Sequence, residues 1–226
     1  MTARHHPSED LLLAYAAGSL DEPRSLLVAT HLALCPHCRA VVSKAEAIGG
    51  TLLDAADAAP MSAGALQSVL ARLDDDQDAG AGRPIRISPG PEAASSRIPE
   101  PLRGYLEGRA IDSLSWRRVA PGIRRHDLSM KGTAQGGEES YLLRLEPEVV
   151  VPRHGHHGEE MTLVLEGGFT DNGAHFERGD VEQADGSIEH QPIVDPGEPC
   201  VTLVVTDGPL RFTGLLPRLL RPIFDR

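Results

Sequence analysis

The feature that most limits what this chain can fold into is a change of texture that begins at Asp74-Asp75-Asp76. From there to Pro101 the sequence is rich in Gly, Ala, Ser and Pro. That composition has too few apolar side chains to join a core and reads as a tether. The 226 residues therefore divide into a front domain over 1–77, a flexible linker over 78–101 and a back domain over 102–226. The two flanks carry different periodicities, helical before the tether and β after it.

In the front domain Ser8 can cap a helix over 8–20, with Glu9 and Asp10 at its positive end and Gly18 at its stop. Asp21 caps a second helix, with Pro23 in its first turn and Leu26, Leu27, Leu32 and Leu34 leading to Cys35. Pro36 interrupts it and opens a third helix through about residue 49, and a fourth covers 62–73. Beyond Leu102, short apolar runs separated by Gly, Pro, Asp and Asn have the spacing of a β-sandwich or barrel. Strands are expected at 116–119, 141–145, 161–165, 174–178, 180–184, 200–206 and 210–213, with a hairpin turn at Asp171-Asn172-Gly173. A short amphipathic helix is expected over 215–226. The fold class is thus multidomain α + β, a small domain of about four helices followed by a β-barrel or jelly roll.

Forty per cent hydrophobic and 24% charged residues exclude disordered and collagen-like chains. The net charge of −11 is spread over both halves, with 5 basic and 11 acidic side chains in residues 1–78 and 17 and 22 in the remainder. An acidic surface repels phosphate, which disfavours direct nucleic-acid binding, but it attracts a basic protein that itself binds nucleic acid. Solubility alone accounts for the charge equally well. No run of eighteen apolar residues occurs, and Met1 to Asp10 carries histidines and acids where a secretory leader needs an apolar stretch. A cytoplasmic protein with no membrane partner is expected. Two of the three cysteines form Cys35-Pro36-His37-Cys38, a pattern that suits a metal or redox site better than a disulfide framework.

The run His31-x-x-x-Cys35-x-x-Cys38 spaces three potential ligands by four and three residues, one face of a helix. At the start of the third helix, Cys35 would feel the positive helix end, which favours the thiolate that zinc requires. A closed structural zinc site needs a fourth ligand, and either His5 or His6 can supply it. Such a clip would give a thin helical core folding free energy that it otherwise lacks. A dithiol redox motif needs a β-strand just before it, whereas the residues before Cys35 read as helix. Buried unliganded cysteines would leave the spacing of His31 without a reason. His37 is spare and is expected to be exposed.

In the back domain His154-Gly155-His156 places two imidazoles on one face of a strand, within reach of one ion. Glu160 follows, and Gly167 comes after six intervening residues. His154-x-His156-x-x-x-Glu160 resembles the first cupin motif, and Gly179-Asp180 leading to His190 resembles the second, with Ala184-Asp185-Gly186 replacing its usual turn. Facing strands of a small barrel would converge these side chains. Three His and one carboxylate suit zinc, iron, manganese or nickel. The resemblance favours zinc. His157 and Glu159 read as turn residues or outer partners. A cupin shell kept only as architecture is the plainer alternative.

His31-x-x-x-Cys35-x-x-Cys38 with an upstream His6 is similar to the zinc-binding anti-sigma domain, which wraps a helical unit around an extracytoplasmic-function sigma factor. Joined to a cupin, it resembles the ChrR-type anti-sigma factors along nearly the whole chain, including Leu102-Arg103-Gly104, Trp116-Arg117, Ala184-Asp185-Gly186-Ser187 and Arg211-Phe212-Thr213-Gly214. The resemblance implies zinc on His6, His31, Cys35 and Cys38. It implies zinc or another divalent transition metal on His154, His156, Glu160 and His190, and an extracytoplasmic-function sigma factor as partner. It further implies that the front domain holds that partner while the cupin responds to singlet oxygen and related oxidants, with no catalysis. Cys200 is a candidate sensor, although a lone cysteine in an apolar β run is more often packing. The competing function is a metal-dependent, dioxygenase-type cupin enzyme with an accessory zinc domain.

Overall fold

The computed structural model describes residues 3–75, 98–128, 139–156, 158–208 and 210–212. Tether residues 78–97, His157 and the closing helix expected over 215–226 lie outside the described residues.

The helices start where the caps place them. α1 (Glu9–Ala16) is capped by Ser8, whose hydroxyl accepts from the Leu11 amide. Gly18 follows its end with φ +65°, a conformation that glycine adopts without steric cost. α2 (Glu22–Leu34) is capped by Asp21, which accepts from the Arg24 amide at 2.8 Å. The chain turns at Cys35, and α3 (Pro36–Asp54) leaves at a bend of 119°. α3 runs five residues past the expected stop, through Gly49-Gly50 to Asp54, where an exposed helix tolerates glycine at about 1 kcal/mol each. α4 covers Ala65–Asp75. Leu11, Leu12, Leu26, Leu27, Val28 and Val42 are buried between the first three helices. Among the described residues no single helix is long and apolar enough to cross a membrane.

A short helix, α5 (Glu100–Arg103), leads into the back domain, where eleven strands are described. They are β1 (Arg117–Ala120), β2 (Ile123–Asp127), β3 (Glu139–Leu145), β4 (His154–His156), β5 (Glu160–Glu166), β6 (Gly168–Asp171), β7 (Ala174–Glu177), β8 (Val181–Ala184), β9 (Ile193–Val194), β10 (Cys200–Thr206) and β11 (Leu210–Phe212). All pairings are antiparallel, with a six-stranded sheet ordered β1-β2-β3-β10-β5-β8, a three-stranded sheet β7-β6-β9 and the pair β11-β4. The hairpin at Asp171-Asn172-Gly173 joins β6 to β7, with Asn172 and Gly173 both at positive φ.

Every residue of β10 is buried, because its two faces meet different neighbours. Val201, Leu203 and Val205, with Met161, Leu163 and Leu165 of β5, belong to the same buried cluster as Leu26, Leu27 and Leu32 of α2. Cys200, Thr202, Val204 and Thr206 line the barrel interior with Thr162 of β5 and Tyr141 and Leu143 of β3. The large sheet is thus sandwiched between its own barrel and the helical unit. Leu102 and Ile98 are buried in the same shared cluster, so Ile98, near the end of the expected linker, packs against that layer.

Polar contacts tie the two units as well. Arg24 of α2 pairs with Asp207, at the end of β10, and lies 3.7 Å from Glu159. Tyr105 donates to Glu22 at 2.9 Å. Residues 4–8 run beside β8: Arg4 and His5 donate main-chain N–H groups to the Asp180 carboxylate at 2.6 and 3.0 Å, and Val181 donates to the His5 carbonyl at 3.1 Å.

Candidate metal centres

His6, His31, Cys35 and Cys38 converge: one candidate ligand atom from each lies within 4.8 Å of the other three. The bend at Cys35 is what allows this, since α2 delivers His31 from its last turn while Cys35 caps α3 and Cys38 lies in its first turn. The Cys35 sulfur accepts from the Cys38 amide at 3.5 Å, and His6 Nδ1 lies 3.5 Å from Cys35 Sγ and 3.4 Å from Cys38 Sγ. His5 is not in this group; its ring packs on Phe176 at 4.5 Å. His37 is exposed.

His31 is fully buried, and its Nδ1 donates to the Gly179 carbonyl at 2.7 Å. Burial lowers its pKa to about 4, so the ring is neutral near pH 7 and the lone pair resides on Nε2. That atom is buried without a hydrogen-bond partner, a costly arrangement unless a cation takes the lone pair. Burial, then the hydrogen bond and charge of Cys35, push the Cys38 thiol up to about 12. A bound cation would draw that proton off, as metal binding to thiols does. The donor set and the orphaned nitrogen both fit a tetrahedral ion.

The second group, His154, His156, Glu160 and His190, is buried throughout, and its ligand atoms also lie within 4.8 Å of one another. β4 supplies the two histidines, β5 begins at Glu160, and His190 bridges to His154 through paired main-chain hydrogen bonds of 3.0 and 2.9 Å. His154 Nδ1 donates to the Pro152 carbonyl at 2.8 Å and His190 Nδ1 to Asp171 at 3.1 Å. Both rings are thereby oriented through Nδ1, the usual outer support of a metal-binding histidine. His156 Nε2 lies 2.9 Å from His190 Nε2, and His156 Nδ1, 3.6 Å from the Glu160 carboxylate, has no hydrogen-bond partner.

The electrostatics point the same way. Burial lowers His154 to about 3 and His156 to about 4, with the neighbouring His190 adding to both shifts. Burial raises Glu160 to about 7. Burial opposes charge on His190, but Glu182, Glu160 and Asp171 outweigh it and raise its pKa. The proton that these carboxylates attract is the one a divalent ion would displace.

Sequence reasoning missed three participants. Asp171 was legible only as a turn residue, yet with Glu182 it forms a further close group around His190. Asp180 was legible only within the Gly179-Asp180 step of the second cupin motif, and Arg24 carried no motif at all. Beside the barrel donors lies a cavity of about 310 Å³ lined by Val119, Tyr141, Leu143, Phe169, Thr202 and Val204 among others. Cys200 also lines it and is fully buried.

Comparison with known proteins fits this two-centre design. The anti-sigma-E factor ChrR of Cereibacter sphaeroides is 42% identical over 224 residues, covering 99% of this chain and 99% of that protein. The chain belongs to the ChrR family of anti-sigma factors. A ChrR cupin-like domain is matched by residues 108–211 and a zinc-finger family by residues 8–39. The crystal structure of Rhodobacter sphaeroides SigE in complex with the anti-sigma ChrR matches with a TM-score of 0.76 and 40% identity, over 91% of this chain and 100% of that one. That structural match extends across both units of the ChrR-family fold, helical and barrel.

Proposed function

We propose that the chain is a cytoplasmic anti-sigma factor that sequesters an extracytoplasmic-function sigma factor and releases it on an oxidative signal registered by the barrel. The whole-length relationship to an anti-sigma-E factor carries this reading. Exposed apolar stripes on two helices support it: Ile48, Leu52 and Leu53 at the end of α3, and Leu66, Val69, Leu70 and Leu73 along α4, are each at least half exposed. A patch of that kind marks a protein interaction site. We assign sigma binding to it. Sequestration, not direct contact with DNA, fits the acidic balance of the chain.

In this reading residues 1–77 form the sigma-binding unit, clamped by zinc on His6, His31, Cys35 and Cys38. Residues 78–101 are the linker. Residues 102–226 hold zinc or another divalent transition metal on His154, His156, Glu160 and His190, and catalyse nothing. The inhibition is tested by transcription with purified core RNA polymerase and a cognate sigma factor, where added protein is expected to abolish initiation. Undiminished transcription at excess protein would reject the reading.

The cavity beside the barrel donors supports a second reading, a cupin enzyme with open metal positions for a small apolar substrate and oxygen. Oxygen consumption by the iron-loaded protein would favour it.

A further inference from the structure

We propose that the barrel completes the helical domain's metal centre: Gly179 and Asp180, at the head of β8, are positioning residues for His31 and His6. The inference rests on the reading that His6, His31, Cys35 and Cys38 hold one metal ion.

Two of those four residues depend on contacts from the barrel. A metal-bound histidine keeps its orientation by donating its other N–H to a carbonyl or carboxylate. For His31 that acceptor is the Gly179 carbonyl, 148 residues away. The carbonyl is fixed by its own turn: Gly179 donates to Val164 at 2.9 Å, Asp180 donates to Glu177 at 2.8 Å, and Glu177 donates back to the Asp180 side chain at 2.9 Å. Gly179 stands at φ +97°, so the turn is specified by a glycine.

His6 comes from outside α2 and α3, and its backbone is steered by β8. The two amides just before it, Arg4 and His5, both donate to Asp180 Oδ1, and the His5 carbonyl accepts from Val181. The contact continues along β8, where the Ser8 amide donates to the Gln183 side chain at 2.8 Å. Residues 4–8 thus follow β8 as an added edge.

The opposite edge of β8 pairs with β5 down to Glu160, opposite Ala184, and Glu182 on β8 lies 3.9 Å from His190 Nδ1. One strand therefore touches both metal centres. A shift of β8, or undocking of the barrel from α2, loosens His31 and His6 together while Cys35 and Cys38 stay with α3. That gives the barrel a direct hold on the centre that shapes the sigma-binding helices.

Cobalt-loaded full-length protein tests this. The thiolate-to-cobalt absorption band reports only the helical centre, because the barrel donor set has no thiol. Asp180→Ala, which frees the backbone just before His6, should speed loss of that band to excess EDTA by about tenfold or more, the low end of the range by which lost outer support weakens metal affinity. Asp180→Asn, which keeps one acceptor oxygen, should fall between Asp180→Ala and the parent. His5→Pro, set against His5→Ala so that loss of the ring contact with Phe176 cancels, removes one donated amide; it should also speed the loss and serves if Asp180→Ala does not fold. A parental rate in Asp180→Ala, or in His5→Pro in its place, would overturn the proposal. Absence of the band in the parent protein would instead overturn the assignment of the four ligands.

Discussion

His156 of β4 and His190, in the segment between β8 and β9, bring their Nε2 atoms to 2.9 Å of each other. Two imidazole nitrogens meet so closely when one carries a proton for the other or when both share a cation. His154 Nδ1 is committed to Pro152 and His190 Nδ1 to Asp171, so the remaining lone pairs gather on one point. Replacing His156 or His190 with alanine is expected to lower the metal content from two ions per chain to one, read by elemental analysis. Two ions retained in both variants would contradict the barrel assignment.

The helical centre should behave as a structural one. Cys35→Ser or Cys38→Ser removes a ligand from a site whose metal contributes on the order of 10 kcal/mol in small zinc-dependent domains. Each variant is expected to lose the metal of the front domain and to raise transcription by the partner sigma factor in cells. Repression unchanged in both variants would count against the clamp.

Docking of the two units can be tested apart from either metal. Arg24 is the hub of the polar contact, pairing with Asp21, Asp207 and Glu159. Arg24→Ala is expected to raise hydrogen exchange at residues 4–6 and 179–181 while leaving the strands β3 and β10 protected. Equal exchange in the variant and the parent would show that apolar packing alone holds the interface.

Cys200 is placed to pack, not to react. Burial, with Asp195 and Glu198 nearby, raises its thiol pKa to about 12. The reactive thiolate is therefore a small fraction below that pH and grows only as pH rises toward it. Cys200 should resist Ellman's reagent at pH 8 in the folded protein and react at once in guanidinium chloride. Cys200→Ser is expected to leave oxidant-induced release intact, measured by sigma-dependent transcription; loss of the response would restore Cys200 as a sensor.

Much of this arrangement was legible in the sequence, and the exceptions have physical reasons. Ser8, Asp21 and Pro36 mark helix starts because capping chemistry is local. Strand β10 was read at its full length, 200–206. Strands β2, β6 and β9 went unread. β2 is Ile-Arg-Arg-His-Asp, too polar to signal a strand, and β9 has only two residues. The eight proposed ligands sit in recognisable spacings, and the chain brings each set together. Gly179-Asp180 was legible as part of the second cupin motif and Asp171 as a turn residue, but their supporting contacts act across long separations, through a carboxylate or a main-chain carbonyl, and leave no local pattern.

The apolar face of α4 should matter for binding and little for stability. Val69 and Leu70 are more than half exposed, so Val69→Asp or Leu70→Asp is expected to shift the melting temperature little. Affinity for the sigma factor should fall at least tenfold, about 1.4 kcal/mol or more, measured by calorimetry. Parental affinity in both would move the binding surface elsewhere.

The most direct measurement is co-purification of the metal-loaded full-length chain with extracytoplasmic-function sigma factors from its own organism, before and after chelation. A one-to-one complex with at least one of them, lost when the metal is stripped, is the predicted result. No complex with any of them, or a complex indifferent to metal removal, would contradict the account.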